Sequence, residues 1–334
     1  MTLDLPFVWA GVIAFAVFAY VVLDGFDLGV GILFPFAADE AGRDEMMNSV
    51  APVWDGNETW LVLGGGGLFA VFPLAYSIVM PALYAPIIAM LLALVFRGVA
   101  FEFRWKTRRG KFLWDWAFAG GSTLAAFAQG VALGALTQGI PVSGRAYAGG
   151  DWNWLTPFSL VTGVALVFGY ALLGSTWLIW KTEGQTQRAA YSAAFVAAPV
   201  TLMFIGLVSA WTPFLNDVYR ERWFGWPQVT LAAPVPLATL FAAHMLFRGL
   251  NARREVVPFV ASQALFALCF VGLGVSFYPH IVPNSVTIWQ AAAPDNSLAF
   301  LLAGAAVLVP LVLLYTAYSY WVFRGKTNSA GGYH

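Results

Sequence analysis

Charge is what this 334-residue chain has least of. Only 10% of its residues are Asp, Glu, Lys or Arg, against roughly a quarter in a soluble domain. With 60% hydrophobic residues, a fold wetted on all sides is excluded. The one cysteine, Cys269, excludes an intramolecular disulfide and a cysteine-built metal cluster. Basic and acidic residues balance at 17 each, so no electrostatic excess draws the chain to nucleic acid. Histidine is scarce too: His244, His280 and His334. A cytochrome carrying several b-type haems needs more axial ligands than that. No basic segment precedes the first apolar run, which itself holds two aspartates, so no cleavable signal peptide is expected.

What is present is apolar sequence in long runs. A window of about 20 residues gives about nine spans, at 7–36, 51–73, 77–98, 114–137, 157–180, 190–212, 230–248, 256–278 and 298–323. Helices satisfy their own backbone groups in lipid, so the predicted fold is an all-α polytopic membrane protein. Lys and Arg fall overwhelmingly on one side of this scheme, with Arg145, Arg220 and Arg222 alone on the other. The positive-inside rule then places the N-terminus outside and the C-terminus inside. The loop lengths suggest a first four-helix bundle in 1–138 and an outside loop with a peripheral fifth helix in 139–189. A second four-helix bundle would occupy 190–323, with a polar tail at 324–334. The last seven residues, NSAGGYH, are expected to be disordered.

Two polar constellations interrupt the apolar runs. Asp24 and Asp27 lie three apart, on one helix face, about 26 Å along the first span. Gly25 and Gly29 beside them would let a neighbouring helix approach closely. At the mouth of the second span stand Trp54, Asp55, Asn57 and Glu58. Intramembrane acids are costly and mark proton or ion paths; the plainer alternatives are interfacial solvation for the first pair and N-terminal capping for the second. Both acidic pairs fall near the inside ends of their spans and can converge. Arg97, nearest the lipid core, is a candidate ion-pair partner, and Glu102 follows it. The basic run from Arg104 to Lys111 reads as an orienting loop. Gly64–Gly67 lacks the frame of a phosphate loop and reads as close helix packing or a break. His244 and His280 fall near opposite ends of the scheme and cannot share a haem.

From the residues alone a proton-coupled secondary transporter competes with other readings, since intramembrane acids and glycine-interrupted helices suit it. Against it, the acids gather at the inner end and no matching interruption recurs in the second half. A purely structural subunit is the third alternative.

The stretches DGFDLGVG, NSVAPVWDGNETWL, GGLFAVFP, FRGVAFEFR, FYPHIVPNS and LVPLVLLYTAYSYWVFRGK resemble, along the whole length, subunit II of the cytochrome bd-type quinol oxidases. The compact loops are more similar to the cyanide-insensitive branch than to the enterobacterial type. The resemblance implies a terminal oxidase of the bacterial inner membrane that oxidises quinol and reduces dioxygen to water. Protons would come from the inside and charge would separate without pumping. It implies a pseudo-symmetric pairing with a subunit I that carries haems b and d. This chain would then bind no haem and would not be catalytic alone. Some members hold a structural quinone in subunit II, and a small single-helix subunit often accompanies the pair. By the same resemblance, Asp55 matches an aspartate lining a proton route, and Asp24, Trp54 and Asn57 match its neighbours. Asp27 matches as well; Glu58 stands where the enterobacterial type has a neutral glutamine, and Glu102 where it has an aspartate.

Overall fold

The computed structural model describes residues 3–327, and the NSAGGYH tail lies outside the described residues. Fourteen helices follow in order. They are α1 (Leu5–Leu33), α2 (Glu40–Val50), α3 (Trp54–Val71), α4 (Pro73–Ala82), α5 (Tyr84–Lys106), α6 (Lys111–Gln138) and α7 (Pro157–Lys181). After these come α8 (Gly184–Trp211), α9 (Asp217–Phe224), α10 (Gln228–Ala232), α11 (Pro234–Asn251), α12 (Val256–Phe277), α13 (Ile288–Ala291) and α14 (Asp295–Val322). Two short antiparallel hairpins, β1–β2 at 142–147 and β3–β4 at 280–287, decorate one end. Among the described residues, 8 helices are long and apolar enough to cross a membrane, or 9 if α3 and α4 count as one broken span.

That break corrects the third predicted span. The chain bends by 120° between α3 and α4, and the following span starts at Tyr84 rather than near residue 77. Pro73 is the cause: it has no N–H to continue the helix and it drives the preceding residue out of helical geometry. Phe72 accordingly sits at φ −122°, ψ 61°. The carbonyl of Val71 is satisfied instead by the Ala293 N–H, at 2.8 Å. Gly64–Gly67 lies inside a continuous α3, where Gly64 and Gly67 face Val17 and Ile13 of α1.

The fifth span is not peripheral. α7 is the most enclosed of the spans and α14 the least. α7 packs against α1, α6, α8 and α12. Its crossing with α1 is a backbone-to-backbone contact: a Cβ on Gly29 would lie 1.8 Å from the Tyr170 carbonyl oxygen, and one on Gly174 would lie 2.2 Å from the Gly29 carbonyl carbon. Around the crossing, Phe26 stacks on Trp177 at 4.2 Å. The segment between α1 and α3, outside the predicted spans, folds into the short helix α2, whose N-terminus is capped by the Asp39 carboxylate accepting from Gly42 N–H at 2.7 Å.

Candidate functional site: one buried guanidinium among three carboxylates

The site lies where α1, α3, α5 and α14 approach one another, near the end of the molecule that carries the basic loops. α5 supplies its centre. Arg97 is fully buried, Nη1 lying 2.8 Å from Asp24 Oδ1 and 3.9 Å from Glu58 Oε2, with Nη2 3.9 Å from Asp27 Oδ2. The Asp24 contact is close in distance but off the line of a directed hydrogen bond. Asp24 and Asp27 are wholly enclosed, whereas the Glu58 side chain keeps 26% exposure.

Asn57 joins α3 to this centre. Its Nδ2 donates to Asp27 Oδ2 at 2.7 Å and to the Leu23 carbonyl at 3.3 Å, while its Oδ1 accepts from the Tyr320 hydroxyl of α14 at 3.0 Å. Trp54 stacks on Phe101 at 4.7 Å and 5°. The Arg97 guanidinium stands 6.0 Å from both of those ring centroids, within reach of their π faces. Behind Asp24, deeper along α1, Tyr20 accepts from Gln129 Nε2 at 2.7 Å, and Gln129 Oε1 accepts from Tyr170 at 2.9 Å.

One guanidinium facing three carboxyl groups is an unbalanced set. Full ionisation would leave two uncompensated charges out of water, which is expensive. Groups this close exchange protons as a unit rather than singly. The arrangement can therefore hold and pass protons, with Glu58 as its partly open side.

Two expected members stand elsewhere. Asp55 lies on the exposed face in the first turn of α3. Glu102 is exposed on α5 and pairs with Lys106 at 3.3 Å, away from the buried acids.

Reasoning from sequence overlooked a second charged knot two turns along α5. Arg104, fully buried, donates to Asp115 Oδ1 and to Asp44 Oδ1, each at 2.6 Å. Arg43 reaches Asp115 at 3.4 Å, and Lys111 reaches Glu40 at 2.5 Å and Asp44 at 3.6 Å. Outside the spans, the hydrogen bond and charge of Lys111 hold the Glu40 carboxyl below its usual range. The chain turns back between α5 and α6 through Gly110, at φ +82°, a conformation that side-chain-bearing residues seldom adopt. Between knot and inner cluster lies an aromatic layer: Phe34 and Phe101 each meet Phe118 edge-on at 5.0 Å. The spacing of Arg97 and Arg104, seven apart and so on one helix face, was the available signal.

The family model described as cytochrome bd terminal oxidase subunit II matches residues 5–323. Among the relatives is the cytochrome bd-I ubiquinol oxidase subunit 2 of Escherichia coli strain K12, 32% identical, with 96% of this chain and 95% of that protein aligned. The cytochrome bd ubiquinol oxidase subunit 2 of Bacillus subtilis strain 168 is 28% identical, with 96% of each covered. In fold, the chain is similar to one in the bd oxidase structure from Geobacillus thermodenitrificans, with a TM-score of 0.71 at 17% identity, over 96% of this chain and 98% of that one.

Proposed function

The chain belongs to the cytochrome bd terminal oxidase subunit II family, and from that premise we propose how it serves its complex. It is a subunit of a terminal quinol oxidase and acts with a subunit I partner. The transporter reading is not favoured by a family match along nearly the whole chain. We place the complex in the bacterial inner membrane with the basic loops inside, since such loops orient spans that way. Haems b and d we assign to the partner. Within this chain His244 lies on α11 and His280 on β3, at the far end of α12, which supports that assignment. A small single-helix subunit completes the assembly in this reading, with quinol and dioxygen as substrates of the whole.

A cavity of about 200 Å³ opens between α2, α7 and α8, with Gln185 and Thr186 as its side-chain donors. Thr186 already donates to Glu45, so the wall offers the two carbonyls of a quinone little to bind. Two membrane halves, 1–138 and 190–323, remain our organisation of the chain. Packing of α1 with α3 and α6, and of α11 with α8 and α12, supports it.

Within this framework the chain provides an inward proton inlet. Dioxygen reduction on the partner consumes protons. Asp55, exposed at the start of α3, collects them; Glu58, one turn deeper, relays them; Arg97 with Asp24 and Asp27 holds them in a dry site. Trp54 covers the guanidinium, and Asn57 fixes Asp27. The observation that carries this reading is the single guanidinium shared by three carboxyl groups, one of which reaches the surface.

The test is oxygen consumption by the purified complex carrying Asp55→Asn, Glu58→Gln or Asp24→Asn. Expected is full haem content with quinol-driven oxygen uptake lowered about tenfold or more, in the range a lost proton-transfer group produces. Wild-type rates at every pH in all three variants would remove the conduit and leave a scaffold.

A further inference from the structure

α14 is the least enclosed span of the chain, yet it reaches into the most polar part of the interior. Its Tyr320 ring sits edge-on to Phe26 at 6.5 Å and to Trp177 at 6.3 Å. From there its hydroxyl donates to Asn57 Oδ1 at 3.0 Å. An amide has a donor end and an acceptor end of nearly the same shape. With Oδ1 accepting from the tyrosine, Nδ2 faces Asp27, where it donates at 2.7 Å, and the Leu23 carbonyl, which can only accept, favours the same orientation. Turned over, Asn57 would present its oxygen to the Asp27 carboxyl and to the Leu23 carbonyl.

The backbone just beyond Tyr320 is fastened. Lys181, at the end of α7, donates from Nζ to the carbonyls of Phe323 and Gly325, at 2.5 and 2.7 Å. Lys326 reciprocates, donating to the Thr182 carbonyl at 3.1 Å and pairing with Glu255 at 2.9 Å. The Thr327 N–H closes the clasp on the Lys181 carbonyl at 2.7 Å. The most central helix thus grips the most exposed one, three residues past the tyrosine.

We propose that Tyr320 is a positioning residue for the acidic cluster: held by the Lys181–Lys326 clasp, its hydroxyl joins the Leu23 carbonyl in holding the Asn57 amide and so tunes how Asp27 shares protons with its neighbours. The inference rests on the proton-inlet reading above and adds α14 and the clasp to it. The titratable and charged groups facing Asp27 are Asp24 on α1, Glu58 on α3, Arg97 on α5 and Tyr320 on α14. Tyr20 and Tyr170 stand behind Asp24. Tyr320 reaches the group through Asn57.

The experiment uses the assembled oxidase complex with Tyr320→Phe, Lys181→Met and, as reference, Asp24→Asn. Haem content is read from the reduced spectrum, and quinol-driven oxygen consumption is followed across pH. The phenylalanine keeps the ring packing and removes only the hydroxyl. Expected is wild-type haem content with the pH profile displaced by about half to one unit, the equivalent of one hydrogen bond. Lys181→Met should displace it in the same sense. An assembled Tyr320→Phe complex with the wild-type profile would overturn the inference. If Tyr320→Phe fails to assemble, Lys181→Met decides by the same profile, and failure of both to assemble assigns these residues to assembly alone and overturns it too. Silent Asp24→Asn, Asp55→Asn and Glu58→Gln complexes together remove the inlet itself, whereas a slow Asp24→Asn complex beside a silent Tyr320→Phe removes only the positioning role.

Discussion

Arg97 holds three carboxyl groups in place from one position, so its loss differs in kind from the loss of any one of them. Removing one partner of a buried ion pair costs about 3–5 kcal/mol because the other charge stays behind. That is much of the margin by which a domain is stable. Arg97→Met is therefore expected to abolish recovery of haem-loaded complex, whereas Asp24→Asn should assemble; the yield of spectrally intact oxidase separates them. Arg97→Lys should fall short as well, since one ammonium cannot reach Asp24 and Glu58 with the spread of a guanidinium. Glu102→Gln is expected to change thermal stability by less than about 1 kcal/mol, because its pair with Lys106 lies on the surface. At this scale, Asp24, Asp27 and Arg97 were legible because charge inside an apolar run needs a reason. Tyr320 was not, since its partner stands 263 residues away and nothing local marks the pairing. Asp55 and Glu58 looked equivalent in sequence, yet only Glu58 turns toward the guanidinium.

Among the helices, hydropathy found nearly every span but could not say which neighbours each would have. Lipid and a packed helix are equally apolar to a sliding window, so the loops around α7 suggested the periphery while the structure makes it the centre. What could have betrayed it is composition: Gly163, Gly169 and Gly174 along α7 are where other groups come within 3 Å of a hypothetical Cβ. Gly29→Ala or Gly174→Ala should therefore part α1 from α7 and prevent assembly. Gly206→Ala on α8, with nothing within 4 Å, should be tolerated and gain up to about 1 kcal/mol from better helix propensity. Recovery of folded protein in mild detergent distinguishes the two classes. The α3–α4 break was equally hard to place, because the apolar run continues past Pro73 and hydropathy carries no direction.

For the molecule as a whole, the clasp sets a pH limit on how the C-terminal segment is held. Hydrogen bonds from Lys326 and then Gln187 keep the Glu255 carboxyl below its usual range. A group depressed in this way contributes above its unfolded value and stops contributing as pH falls through the folded one. Proteolytic cutting beyond residue 322 is thus expected to stay flat from neutrality to about pH 5 and to rise below it. The same enclosure pattern bears on how the protein is made. The last span has a mean hydropathy of 2.6, the highest of the set, and only 6% of its window is enclosed by the rest of the chain. It therefore has little need of its siblings in order to enter the bilayer, and it is joined to them afterwards by the Tyr320 side chain and the clasp beyond it, a few apolar contacts and the Trp9–Leu298 hydrogen bond. Such a span is a separable part: supplied as two polypeptides divided ahead of Asp295, the protein should reassemble in the membrane.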